Sequence, residues 1–156
     1  MNEPRNSAAL AVEVKALDPR ARLPERMSEA AAGWDLYACL PRGQASLRLG
    51  PLERCAVPTG LAMAIPVGFE GQVRPRSGLA FKHGISIPNA PGTIDADYRG
   101  ELKVLLINLS NEPFELEHGE RIAQIVFCAV AQLEPRWAES LPESARGSGG
   151  FGSTGR

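Results

Sequence analysis

The sequence predicts an all-β sandwich or jelly roll with at most one short helix, and three observations carry that prediction. Short apolar alternations recur between Pro, Gly and Asn breaks. Two further runs are apolar almost throughout. Thirteen prolines and sixteen glycines among 156 residues leave little room for uninterrupted helical periodicity.

In chain order, the alternating segments are LAVEVKAL (Leu10 to Leu17), SLRL (Ser46 to Leu49), FEGQV (Phe69 to Val73) and FELE (Phe114 to Glu117). A period of two places every other side chain on one face, the pattern of half-buried strands. Leu102 to Leu109 and Ile122 to Val130 are rich enough in Ile, Val and Leu to be expected as core strands buried on both faces. A helical turn or two fits only around Gly78 to His83. Composition changes after Pro142, and the last eleven residues, RGSGGFGSTGR, hold one aromatic and no aliphatic side chain. Such a tail cannot bury enough apolar surface to offset the entropy of ordering. The expected organisation is one β domain over 1–145 and a flexible Gly-rich tail over 146–156.

Charge and cysteine usage narrow the function. Lys and Arg total 17 against 18 Asp and Glu, a formal net charge of -1, so no basic surplus exists to neutralise a nucleic-acid backbone. A few Arg residues gathered in one cleft still suffice for a small anion. Cys39, Cys55 and Cys128 are widely spaced and odd in number, which suits a reducing cytoplasm better than a disulfide framework or zinc site. No apolar run is long enough for a bilayer, so neither a membrane nor export is expected. Asn108-Leu109-Ser110 matches a glycosylation acceptor only formally. His83 and His118 lie far apart without an acidic or cysteine ligand pattern around them.

Several segments carry chemistry. Pro75-Arg76-Ser77-Gly78 sets a guanidinium fork beside a hydroxyl and a glycine, a combination that binds phosphate oxygens, although exposed turn arginines are common. Asn89 to Gly100, NAPGTIDADYRG, is the densest polar stretch and precedes the most apolar strand. Either Asp95 or Asp97 is suited to orient and deprotonate a water while the other pairs with a nearby Arg. Free aspartate ionises near about 3.9 and is a weak base at neutral pH, so such chemistry calls for a metal-polarised substrate. Asp35 sits in the apolar strand-like GWDLYA and requires a partner, an Arg or a hydrated metal ion. Gln124 interrupts an apolar run in the same way and is expected at least to reach the solvent face of its strand. In the tail, Gly147-x-Gly149-x-x-Gly152 mimics a dinucleotide fingerprint, but no helix can follow it. Its glycine amides with Ser153 and Thr154 can wrap a terminal phosphate, and Phe151 can stack on a base.

Five segments then fall in the order of the five motifs of the trimeric dUTP pyrophosphatases, or dUTPases: AGWDLYA (Ala32 to Ala38), PRSGLA (Pro75 to Ala80), NAPGTIDADYRGE (Asn89 to Glu101), GERIAQIVF (Gly119 to Phe127) and RGSGGFGSTG (Arg146 to Gly155). The sequence resembles that family from Ala32 to Gly155. The resemblance implies a β jelly roll, or β-clip barrel, forming a homotrimer with shared active sites, each closed by a neighbour's tail. It implies hydrolysis of dUTP to dUMP and pyrophosphate with Mg²⁺, which limits uracil incorporation into DNA and supplies dUMP for thymidylate synthesis. By motif position, Asp95 is the base that activates water. Tyr98 packs under the deoxyribose, and Asn89 with the loop backbone of Gly92, Thr93 and Ile94 reads uracil. Arg76, Ser77, Gly78 and Gln124 hold phosphate oxygens. Arg146, Gly152, Ser153 and Thr154 close around the outer phosphates, with Phe151 on the base. Asp35 holds the metal through water, and Asp97 and Arg99 support the fold. Trp34 and Ala90-Pro91 depart from the usual pattern without removing a chemical group. The alternatives are a dCTP deaminase, with or without dUTPase activity, and a non-catalytic nucleotide-binding module.

Overall fold

The computed structural model describes residues 10–150. Among these residues, eleven short strands and one helix follow in the order β1 (Glu13–Ala16), β2 (Trp34–Tyr37), β3 (Ser46–Leu49), β4 (Arg54–Pro58), β5 (Leu61–Ala64), β6 (Phe69–Arg74), α1 (Ser77–His83), β7 (Ile85–Ser86), β8 (Gly92–Ile94), β9 (Lys103–Asn108), β10 (Phe114–Glu117) and β11 (Arg121–Ala129). All pairings are antiparallel. A four-stranded sheet runs β2-β11-β6-β8, a three-stranded sheet runs β4-β9-β7, and β1-β5 and β3-β10 form two-stranded ribbons. This is the all-β jelly-roll architecture the turn-punctuated sequence calls for.

Inward-facing positions of both sheets meet in one apolar core that includes Leu36, Val57, Val73, Val104, Leu106 and Ile125. Each such side chain contributes about 1.5–3 kcal/mol by leaving water. Gly71 on β6 is buried where a Cβ would press against the ends of Ile125 and Ile65, so any larger residue there would displace both side chains. Helix α1 ends on Gly84 in the left-handed conformation (φ 66°), whose N–H caps the Ala80 carbonyl.

Strands β3 and β10 coincide with their predicted segments, and β6 extends one residue further, to Arg74. Two expectations are corrected. Of LAVEVKAL, only Glu13–Ala16 pairs; Leu10 and Leu17 are exposed. β9 is not buried on both faces: Val104, Leu106 and Asn108 turn inward, whereas Lys103 and Leu105 are exposed and Ile107 is half-buried. Leu109 and Val130, at the ends of the two apolar runs, are exposed as well. An apolar run marks burial on two faces only when something covers the second face, and within one chain nothing covers that of β9.

Candidate functional site

Asp35 occupies the second position of β2, with its backbone N–H bonded to the Glu25 carbonyl at 2.8 Å. Its side chain is only 11% exposed and meets two guanidinium groups. Oδ1 lies 3.3 Å from Arg76 Nε, and Arg121 Nη1 donates to Oδ2 at 3.1 Å. The expectation that this buried carboxylate has a cationic partner is met twice over. Arg76 also donates from Nη1 to the Arg121 carbonyl at 3.2 Å, closing a ring of contacts.

Gln124 lies directly opposite Asp35 in the β2–β11 register. Its Nε2 donates to the Pro75 carbonyl at 3.0 Å, which fixes the turn that presents Arg76, Ser77 and Gly78. Gly33 makes room for this: a Cβ there would overlap Gln124 Oε1. Ser77 and Gly78 open α1 and are exposed. A β-bulge between Arg121 and Ala123 sets two residue steps of β11 against one of β2. In a regular strand, residues three apart point to opposite faces; the bulge brings Arg121 to the face of Gln124 and Asp35. Sequence reading assigns Arg121 no role, and spacing alone could not have, because the bulge cancels the alternation.

A cavity of about 560 Å³ adjoins this cluster, lined by Arg22, Tyr37, Arg76, Leu79, Glu120 and Arg121 among others. Burial, and then the Glu25 carboxylate, push the Tyr37 hydroxyl above its usual ionisation range, so it stays a neutral donor. Arg22 lies 3.9 Å over the Tyr37 ring and Arg26 4.9 Å over the Trp34 ring. Trp34 thus serves as a cation–π platform and leaves Asp35 undisturbed.

The second set of predicted residues lies on the loop around β8. Thr93, Ile94, Asp95, Tyr98, Glu101 and Lys103 line a cavity of about 350 Å³ together with Leu102. Tyr98 donates its hydroxyl to the Glu101 carbonyl at 3.0 Å and its N–H to the Asp95 carbonyl at 3.2 Å. A Cβ at Gly100 would overlap the Tyr98 hydroxyl, so that glycine lets the ring fold back across the loop. Asn89 packs its amide against Gly92, where an added Cβ would lie 3.1 Å from Nδ2. The Ala90-Pro91 peptide is cis. Arg99 donates to the Ala96 and Tyr98 carbonyls at 2.7 and 2.8 Å and holds the loop's shape. The expected pairing of Asp95 or Asp97 with a nearby Arg is not found: no ion pair among the described residues includes either carboxylate.

The two sets share one sheet but do not meet within one chain. Ile94 pairs with Gly71 and Gln124 with Arg74, so Asp95 lies four residue rows and three strands from Asp35. By strand rise and spacing that is roughly 20 Å. Arg146 is exposed on the run that leaves β11. Phe151, Gly152, Ser153 and Thr154 lie outside the described residues.

The donor set decides what kind of metal ion fits. Among the described residues, no three His, Cys, Asp or Glu side chains gather to cage an ion. A carboxylate offers about four lone-pair positions; on Asp35, Arg121 takes one by a hydrogen bond and Arg76 stands as an ion-pair partner beside the other oxygen, leaving positions for water. The residues fit a hydrated ion carried in on phosphate oxygens and not one bound by protein ligands alone.

Fold and site together define an all-β protein with an arginine-flanked carboxylate on one sheet and a separate Asp- and Tyr-bearing loop at that sheet's far edge. The chain belongs to the dUTPase family, whose sequence model matches residues 19–155. It is 59% identical over 127 residues to the deoxyuridine 5'-triphosphate nucleotidohydrolase of a Wolbachia strain from Drosophila simulans, covering 80% of this chain and 81% of that protein. It is 53% identical over 146 residues to the protein of the same name from Syntrophotalea carbinolica, covering 94% and 97%. Among solved structures, the dUTPase of Staphylococcus bacteriophage 80alpha with dUPNHPP superposes with a TM-score of 0.85 at 29% identity, covering 95% of this chain and all of that one.

Proposed function

We propose that this protein hydrolyses dUTP, as its magnesium complex, to dUMP and pyrophosphate, and that it does so as a homotrimer in which each site draws on several chains. The observation that carries the reading is the division of the site into two half-sites. Arg76, Gln124 and Asp35 form a phosphate-side cluster, and the Asn89–Tyr98 loop forms a base-and-sugar side with a carboxylate free of ion pairs among the described residues.

In this reading Arg76, Ser77, Gly78 and Gln124 bind phosphate oxygens, and Asp35 orients the ion through water. Mg²⁺ on the phosphates would withdraw charge from a chain of about four negative charges, so that a water held by the anionic Asp95 carboxylate could approach it. Asp95 takes the proton of a water attacking the α-phosphorus; the P–O bond to the β-phosphate breaks and pyrophosphate leaves. Tyr98 lies under the deoxyribose and leaves no room for a 2′-hydroxyl. Asn89, with the backbone of Gly92, Thr93 and Ile94, reads the uracil edge. Arg146 and the tail residues Phe151, Gly152, Ser153 and Thr154 close over a neighbour's site. Most of the rate comes from positioning. A reducing cytoplasm suits three free thiols.

Association of copies is supported by exposed apolar surface. Leu105 faces outward from β9, and Leu133, Trp137 and Leu141 stand almost wholly exposed on the run after β11. A monomer leaves such surface uncovered only at a cost.

A product assay across the deoxynucleoside triphosphates, with and without Mg²⁺, tests the function. The expected result is dUMP and pyrophosphate from dUTP only when metal is present. Ammonia from dCTP would assign the chain to the deaminases instead. Asp95→Asn is expected to lower kcat by at least about 10²-fold while nucleotide still binds, the typical share of a general base. An unchanged kcat would remove Asp95 from the chemistry.

A further inference from the structure

We propose that Arg121 is a positioning residue of this hydrolytic site: it holds the Asp35 carboxylate so that Arg76 keeps donors free for phosphate. The proposal rests on the dUTP reading and adds a residue to which that reading gives no task.

Three observations carry it. Asp35 is confined, with a side chain 11% exposed, and needs a compensating charge wherever its partners turn. Two cations share it one oxygen each, Arg76 on Oδ1 and Arg121 on Oδ2. The bulge in β11 breaks the strand's alternation at the one place that brings Arg121 onto the face of Gln124 and Asp35.

The division of labour follows from donor geometry. A guanidinium has five N–H donors in a rigid fork and binds a carboxylate most favourably through two parallel bonds. With Arg121 on Oδ2, the nearest approach of Arg76 to Asp35 is Nε to Oδ1, and its Nη1 turns to the Arg121 carbonyl. Its remaining donors can face an incoming anion. Without the Arg121 charge, Oδ2 is open and Arg76 closes onto Asp35 as a bidentate pair, with fewer donors left for phosphate. Arg121 also contributes its carbonyl as the rest against which Arg76 is aimed. Its side chain is 42% exposed, so replacing it opens no core cavity.

In the Arg121 variant Arg76 keeps its charge and its place and gives up only a donor to bound substrate, so the loss is expected in KM more than in kcat. Arg121→Gln is expected to raise the KM for dUTP about tenfold with kcat changed less than about twofold, the scale of one charge-assisted hydrogen bond. Arg121→Lys, which restores the charge without the fork, is expected to recover most of the loss. In an Asp35→Asn background no charge is left uncompensated, so adding Arg121→Gln should move KM by less than about twofold. A thermal-unfolding cycle of the same variants without nucleotide or metal reads the Asp35–Arg121 coupling directly. An unchanged KM in Arg121→Gln, or an equal rise in both backgrounds, overturns the proposal. If Asp35→Asn does not fold, the split between KM and kcat and its rescue by Lys decide alone. Failure of the parent protein to release pyrophosphate from dUTP would instead sink the functional reading, before any variant is compared.

Discussion

At the scale of single residues, the proposed phosphate cluster depends on groups with no charge of their own. Gln124 is held on the Pro75 carbonyl, and the space it occupies exists because residue 33 has no side chain. Gly33→Ala requires that the Gln124 amide swing away, which the far end of a flexible side chain does at little cost, and that Gln124 Cβ, 3.3 Å from the new methyl, give by a few tenths of an ångström. The fold should therefore persist while the Pro75–Arg76 turn loses its tether. We expect unfolding temperature to stay within a few degrees and kcat/KM for dUTP to fall about tenfold, the scale of one lost polar contact. Full activity in a folded Gly33→Ala protein would show that Gln124 does not serve the phosphates. Such dependencies are only partly legible in sequence. That Asp35 must have a cationic or metal partner follows from a carboxylate among apolar neighbours, and both arginines are there. Which atoms of Gln124 bond to what does not follow from its neighbours in the chain. Asn108, a formal glycosylation acceptor, is fully buried: Nδ2 donates to the Leu49 and Glu112 carbonyls and Oδ1 accepts from Ser110. It is a structural pin, which the motif conceals.

At the scale of elements, strands and turns were readable and their environments less so. Period-two segments gave β3 and β10 their bounds, and the breaks around Gly78 to His83 left room for one helix, which forms there. The outer face of β9 is not legible in its apolar run, because hydropathy reports what a side chain prefers, whereas exposure depends on what the rest of the assembly supplies. Irregular connections were the least legible, and one of them is built on charge. Arg20 grips Asp18 through Nε and Nη2 at 3.0 and 2.8 Å and reaches on to the Leu40 carbonyl, fastening the turn after β1 to the run that continues β2. The Arg20 side-chain hydrogen bonds, then the Arg20 backbone N–H, hold the Asp18 carboxyl well below the usual carboxylate range. Because the folded-state value is depressed, this contribution is complete above the unfolded value of about 3.9 and disappears as pH falls through the lower folded value. Asp18→Asn should therefore unfold at a lower temperature than the parent at neutral pH, and the gap should narrow below about pH 4. A series of melting curves across that range checks it. A gap that is constant with pH would mean that the carboxylate's charge is not what fastens the turn.

At the scale of the whole molecule, register turns an assembly question into a catalytic one. The four-stranded sheet holds Asp35 and Gln124 on one row and Asp95 beyond the row of Gly71, so a single chain separates the proposed base from the phosphate cluster by roughly 20 Å. No side-chain rotation spans that gap, and both groups sit on paired strands or directly beside them. If water activation and phosphate binding belong to one reaction, the two half-sites come from different copies. This has a consequence that no single-chain arrangement shares. Asp95→Asn disables the base side of every site a chain contributes to, and Arg76→Ala disables the phosphate side; each pure variant should be nearly inactive. When the two are co-refolded in equal amounts, some sites receive an intact Asp95 from one chain and an intact Arg76 from another. With random assortment the recovered activity should be about one quarter of the parent's, the product of two independent halves in a closed symmetric ring. Measuring dUTP turnover after co-refolding, with each variant refolded alone as control, decides it. Activity no greater than the sum of the controls, in particles shown by differential tagging to contain both chains, would place the base and the phosphate cluster in the same copy, against the geometry of the sheet.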